Sequence, residues 1–265
     1  NMCKLLSGSE GSLAFTTEIT LQLDELPPSN GVMVAAHFES ITACLEAVVP
    51  AMQHKLYACE MMDKVILDCT LNNREQQKNR FFIEGDPAAI LMLEVRANTL
   101  DDARKQALEL IATIDNSGLS YAYPTLEGSQ INQALELRKA GLGLLGNIVG
   151  DRKAVACIED TAVALGDLAP YINEFSALMA DFKQDAVYYA HAGAGELHLR
   201  PILNLKKAED VVLFRKITTA IANLVKKYQG SMSGEHGDGL VRGEFVELMI
   251  GSANYERLKQ IKTLF

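Results

Sequence analysis

Apolar positions recur along the chain at two periods, every second residue and every third to fourth, and the two alternate. Ile19, Leu21 and Leu23, separated by Thr20 and Gln22, read as a strand leaving the glycine-punctuated Gly8-Ser9-Glu10-Gly11-Ser12-Leu13. Leu26-Pro27-Pro28-Ser29-Asn30-Gly31 can continue neither strand nor helix, because proline fixes φ and lacks an N–H donor. A domain boundary is expected there. Residues 1–27 are too few for a core of their own and read as the tail of a preceding domain, with 28–265 as the second unit.

Beyond the boundary, Val32 to Phe38 reads as a strand. Ser40 then caps a helix-period stretch to about Leu56, with Ile41, Leu45, Val48, Val49 and Met52 on one face. Ile90 to Arg96 forms another strand, Thr99 caps a helix to about Ile114, and Ser120 to Tyr123 is extended. Residues 127–145 are helical, then loosened by Gly141, Gly143 and Gly146. The second half repeats the rhythm: Ala154 to Ile158 extended, Leu165 to Phe182 helical, a hairpin of Ala186 to His191 with Leu197 to Leu203, and a long helix from Lys207 to Tyr228. A hairpin imposes antiparallel pairing, so the expected class is α+β: duplicated ferredoxin-like halves forming a largely antiparallel sheet with helices on one face. Asp63 to Arg80 reads as solvated surface.

Composition narrows the function classes. The 265 residues are 48% hydrophobic and 22% charged, which is enough apolar side chain for a large core. A formal charge of -9 opposes attraction to nucleic acid or anionic lipid. No apolar run approaches the roughly 18 residues needed to span a bilayer. The five cysteines, Cys3, Cys44, Cys59, Cys69 and Cys157, have no CxxC spacing and fit buried thiols of a reducing compartment, hence a cytoplasmic protein or one peripheral to the inner membrane face.

Candidate chemistry concentrates in two glycine-bracketed segments that hold three of the five histidines. In Tyr189-Ala190-His191-Ala192-Gly193-Ala194-Gly195-Glu196-Leu197-His198-Leu199-Arg200, a two-residue turn at Ala194 and Gly195 would set His191 directly across from His198, close enough to share a divalent metal such as zinc. Ala194 is the weak point, since such turns need a positive φ. In Gly230-Ser231-Met232-Ser233-Gly234-Glu235-His236-Gly237-Asp238-Gly239, Glu235 could complete a His2Glu set and His236 act as a base near neutral pH. The competing readings are two histidines filling a sheet surface and a mobile loop. Arg138, with apolar neighbours Leu135, Leu137 and Leu142, has the shape to clamp a carboxylate, against the alternative of pairing with Glu136. Arg200 shares the sheet face of His198 by strand alternation and is a second anion clamp. Asp160, after Glu159, reads as a helix cap.

These segments resemble a known family. Gly8 to Leu13 leading into Thr17-Glu18-Ile19-Thr20-Leu21 resembles the end of the FAD-binding domain in FAD-linked oxidases of the vanillyl-alcohol oxidase and D-2-hydroxyacid dehydrogenase type. His191 to His198 and Ser233 to Gly239 resemble the metal and active-site motifs of their C-terminal substrate domain. Leu137-Arg138-Lys139-Ala140-Gly141-Leu142-Gly143-Leu144-Leu145 and Leu197-His198-Leu199-Arg200-Pro201 are similar to the long bacterial FAD and iron-sulfur oxidoreductases. The resemblance implies oxidation of a D-lactate, glycolate or D-2-hydroxyglutarate type substrate with hydride transfer to FAD. It also implies His191, His198 and Glu235 as metal ligands, His236 as base, Arg138 as carboxylate clamp, and cofactor contacts from Gly8, Ser9, Glu10 and Gly11. Residues 1–27 would be the remnant of a flavin domain, a partner to the rest. An iron-sulfur module would follow Phe265, and the excised piece would neither hold FAD firmly nor turn over. The chain departs from the family pattern at Ala194 and Glu196, where Asp and Asn are common. A metal-dependent hydrolase and a noncatalytic interaction module are the rival readings.

Overall fold

The computed structural model describes residues 1–71 and 73–265, and for Leu142 and Asn147 the backbone alone. Leu142, one of the apolar neighbours expected around Arg138, therefore has a side chain outside the described residues. Nine strands are present among the described residues: β1 (Asn30–Phe38), β2 (Ala58–Asp63), β3 (Ala89–Ala97), β4 (Ser120–Ala122), β5 (Thr125–Glu127), β6 (Lys153–Ala154), β7 (Ile158–Ala162), β8 (Ala186–His191) and β9 (Glu196–Leu203). They form one sheet in the order β4-β1-β3-β2-β8-β9-β6, with β5 also on β1 and β7 also on β9. Every pairing is antiparallel.

The duplication is visible in the strand order. The first half runs β2-β3-β1-β4. The second runs β8-β9-β7, with a single bridge from Ala162 to Ser231 where a fourth strand would lie. The halves meet at β2 and β8, in the register Met61 to Ala190 and Met62 to Tyr189.

Crossover helices build the larger core. The Leu100–Asp115 helix starts at Thr99, whose side chain accepts the Asp102 N–H at 3.2 Å, and buries Ala103, Ala107, Leu110 and Ile114, one side of a 3.6-residue period. The Leu168–Asp181 helix buries Tyr171 and Phe175, and the Ala208–Lys227 helix buries Ile217, Ile221 and Val225. Together with Val34, Ala36, Phe38, Leu91 and Leu93 of β1 and β3, these side chains belong to one continuous core. Each fully buried side chain of this size contributes about 2 kcal/mol.

Helices lie on one face for all four crossovers, and in the first half the opposite face is covered too. Lys64–Leu71 and Ser129–Leu144 close a second core around Met33, Met62, Ile66, Ile90, Met92 and Leu137. This explains why β1 and β3 are continuous apolar runs rather than alternating ones. It also corrects the reading of 63–80 as solvated surface: Ile66, Leu67 and Thr70 are buried, and Arg80 donates to the Leu67 carbonyl and the Thr70 hydroxyl. The helix expected from Ser40 to about Leu56 is two short pieces, Ile41–Glu46 and Val48–Ala51. Pro50 has no N–H to give the Glu46 carbonyl and is accommodated only where a new first turn leaves that donor unneeded. The strand expected at Ile19, Leu21 and Leu23 is not formed: these residues belong to no strand or helix and their side chains are exposed, with no described sheet edge to pair with. All five cysteines are free thiols; Cys44, Cys59 and Cys157 are buried and Cys69 half-buried, but Cys3, at the exposed start of the chain, is not buried as expected. No described helix is long and apolar enough to cross a membrane.

Candidate metal and active site

The β8–β9 hairpin carries the two histidines in a different register from the expected one. His191 pairs with Glu196, and His198 lies across from Tyr189. Ala192–Ala194 form a 3-10 turn and Gly195 takes φ +75, so a four-residue loop replaces the two-residue one. The cause is the residue noted above: Ala194 avoids positive φ, and the loop lengthens until glycine alone carries it. The imidazoles become diagonal neighbours with ring centroids 5.2 Å apart, still within reach of one ion.

Glu235 comes to them from the loop after the Ala208–Lys227 helix. Its Oε1 lies 3.8 Å from His191 Nε2 and 3.7 Å from His198 Nε2. One ligand atom from each of His191, His198 and Glu235 falls within 4.8 Å of the other two. His236 Nε2 is 2.9 Å from Glu235 Oε1, and its half-exposed ring faces that of His198 at 5.6 Å. The four residues predicted for metal and base thus converge.

Electrostatics suit a cation. Burial pushes the His198 imidazole down to about 4, so it is neutral and has a lone pair to offer. His191 shifts the other way, raised by its hydrogen bond to Glu60 against the pull of burial. Burial, helped by Asp160 and Glu235, lifts Glu196 to about 7, and its buried Oε1 has no hydrogen-bond partner while lying 3.5 Å from His198 Nε2. Two histidine nitrogens and carboxylate oxygens around one point are a donor set for a divalent ion such as zinc.

What holds Glu235 and His236 was not anticipated. Asp160 is not a helix cap: it lies in β7, fully buried, with φ +78. Its carboxylate accepts the Ser233 hydroxyl at 2.6 Å and the N–H groups of Gly234, Glu235 and His236 at 3.0, 2.7 and 3.0 Å. Burial would raise its pKa, but hydrogen bonds from Glu196, Ser233 and these amides prevail and hold it well below the usual range. Arg242 grips the loop from its carbonyl side, donating to the oxygens of Met232 at 2.9 Å, Gly237 at 2.6 Å and Glu159.

The predicted clamps are both already engaged. Arg138 Nη2 lies 2.6 Å from Glu60 Oε2, not on Glu136, and also donates to the Ala190 carbonyl at 3.3 Å. Arg200 donates to Glu159 at 2.6 Å, and the same carboxylate accepts the Tyr189 hydroxyl. Each arginine keeps a buried Nε without a partner. Glu60 escaped the sequence reading because β2 did; the lone acid in Ala58-Cys59-Glu60-Met61-Met62 is the signal that would have found it. Of the residues expected at the flavin, Ser9 donates to the Leu6 carbonyl and Glu10 accepts the N–H groups of Asp238 and Gly239 at 3.0 and 3.4 Å, so this turn braces the loop that carries Glu235 and His236. An open cleft of about 410 Å³ bounded by Met52, Cys59, Glu60, His191, Gly193 and Glu235 reaches the cluster from the sheet end.

Several known proteins are similar to this chain. A D-2-hydroxyglutarate dehydrogenase of Haemophilus influenzae is 32% identical over 276 residues, covering 100% of this chain and 27% of the relative. A D-lactate dehydrogenase of Archaeoglobus fulgidus is 27% identical over 268 residues, covering 100% of this chain and 55% of the relative. The chain therefore spans well under two thirds of the curated relatives it matches. Among solved structures, 4-ethylphenol oxidase from Gulosibacter chungangensis superposes with TM-score 0.58 over 92% of this chain and 52% of that one, at 13% identity, which is a likeness of fold. The family model for the C-terminal domain of FAD linked oxidases matches residues 27–265, and the chain belongs to that family.

Proposed function

We propose that this chain is the substrate-binding part of a flavin-dependent dehydrogenase that oxidises a D-2-hydroxyacid to the 2-oxoacid, with a divalent cation held by His191, His198 and Glu235. The observation that carries the reading is the convergence of those three ligand atoms beside the His236 ring. A cation there would polarise the substrate hydroxyl and carboxylate and offset the negative charge that develops as the proton leaves. FAD, bound on another part of the full protein, supplies the hydride acceptor.

This chain's own residues do the rest. Arg138 and Arg200 supply positive charge on the sheet face that carries the histidines, each balanced by a glutamate so that neither is buried unpaired. Two such groups favour a diacid, and 2-hydroxyglutarate, named for several relatives, is the substrate we favour. His236 takes the hydroxyl proton at Nδ1, while its Nε2 lies 2.9 Å from Glu235 Oε1, a carboxylate that holds the neutral ring's proton there and stabilises the imidazolium. The C–H bond pair departs as hydride while the C=O bond forms, so two electrons leave the substrate and one proton stays on His236. The loop is held rigid by Asp160 and Arg242, which keeps base and ligand in fixed relation.

The test is dye reduction by the full-length protein against a panel of D- and L-2-hydroxyacids, with H236Q as control. D-2-hydroxyglutarate turnover lost in the variant is expected. No 2-hydroxyacid oxidation, or ester cleavage without flavin, would overturn the assignment. The chain by itself is expected to bind the cation without turning over.

A further inference from the structure

The proposed ligands His191 and His198 both lie in the second half of the sheet, yet one side chain from the first half reaches them. Register brings it there: Met61 stands opposite Ala190, so Glu60 on β2 stands opposite His191 on β8, across the junction of the halves. Its Oε1 and Oε2 lie 3.0 and 2.9 Å from His191 Nδ1. Its Oε2 is also 2.6 Å from Arg138 Nη2. Both ends of this contact are largely buried, with Glu60 and Arg138 side chains each 18% exposed.

A carboxylate can only accept, so the proton of a neutral His191 sits on Nδ1 and its lone pair on Nε2, the atom that faces Glu235. The same carboxylate holds the guanidinium of Arg138, whose Nη2 meets Glu60 Oε2 and also donates to the carbonyl of Ala190, one residue before His191. Resting on the metal reading above, we propose that Glu60 is the positioning residue of this site: it sets the tautomer and ring orientation of His191 and locks Arg138 beside it, coupling cation binding to carboxylate recognition. Partners that orient a ligating histidine in this way are worth about 10- to 100-fold in metal affinity.

The experiment measures zinc affinity of the chain by competition with a chromogenic chelator, and the tautomer of His191 in metal-free protein by nitrogen-15 NMR of labelled histidine, with H191Q assigning the signal. Glu60→Ala is expected to weaken zinc binding 10- to 100-fold and to mix the His191 tautomers. Glu60→Gln, whose amide oxygen still accepts the Nδ1 proton, is expected to restore affinity to within a few fold of the parent, a rescue that a merely space-filling role would not produce without restoring the tautomer. Zinc affinity within twofold of the parent in Glu60→Ala, while His198→Ala loses binding, would overturn the assignment, as would a parent His191 protonated on Nε2. If His191→Ala and His198→Ala bind zinc like the parent, the metal reading falls, and the tautomer in the parent still decides for or against Glu60. Should Glu60→Ala fail to fold, the parent tautomer and Glu60→Gln carry the test.

Discussion

Asp160 Oδ1 accepts the backbone N–H of Glu235 at 2.7 Å, and through that bond a residue of the sheet fixes a carboxylate 75 positions further along the chain. The same side chain meets the neighbouring amides of Gly234 and His236, so the loop is wrapped around a single buried anion. Replacement by alanine leaves these donors without an acceptor, each at about 1–3 kcal/mol. Asp160→Ala is therefore expected to cost at least about 3 kcal/mol, measured by denaturant unfolding, and to expose residues 231–239 to limited proteolysis. Asp160→Asn retains one acceptor oxygen and falls between.

His236 sits where it can move a proton without being a required ligand. In the full-length protein, His236→Gln is expected to lower kcat by about 10²- to 10⁴-fold. Zinc content stays unchanged, because His191, His198 and Glu235 remain within reach of one another. Loss of metal together with activity would instead make His236 part of the cation site. Paired measurements of kcat and bound zinc separate the two outcomes.

Much of this arrangement was legible in the residues themselves. Ser40 and Thr99 announce their helices because capping is local chemistry, and β1 and β3 are apolar runs whatever else folds around them. The glycine-bracketed histidines and Glu235 stand out because three of the chain's five histidines fall in two short segments whose glycines free the backbone. Less visible was everything that depends on distant pairing. The hairpin register turns on which residue accepts positive φ, and it moved His198 from opposite His191 to opposite Tyr189. Asp160 reads like any capping acid until a loop more than 70 residues later closes on it, and Glu60 acquires meaning only when two halves of a sheet meet.

Gly195 and Gly143 separate two uses of glycine. A Cβ on Gly195 would collide with the Val163 carbonyl oxygen, and its φ is +75. Gly195→Ala is expected to destabilise by more than about 2 kcal/mol and to weaken zinc binding, since the turn sets the spacing of His191 and His198. Gly143 lies exposed in the Ser129–Leu144 helix with nothing within 4 Å of a built Cβ. Gly143→Ala should be neutral or stabilise by about 0.4–1 kcal/mol. Thermal melts of the two variants check the contrast.

Asp63 ties the junction of the halves to a helix start and gives stability a distinctive pH dependence. Its Oδ1 accepts the Ile66 N–H at 3.0 Å and its Oδ2 the Tyr188 N–H at 2.9 Å, linking the Lys64–Leu71 helix to β8. Burial outweighs these hydrogen bonds and lifts the carboxyl from 3.8 to about 7. The folded state then binds more protons than the unfolded state between these values, so this group's contribution is fully present below pH 4 and declines as pH rises to 7. Asp63→Asn stays neutral throughout and loses one acceptor, costing about 1 kcal/mol at every pH. The stability of the parent minus that of Asp63→Asn, from urea unfolding at half-unit steps, is thus expected to fall by roughly 2 kcal/mol or more between pH 4 and 7 and to level off above. A difference that rises with pH over this window would show that the two amide donors hold Asp63 ionised inside the fold.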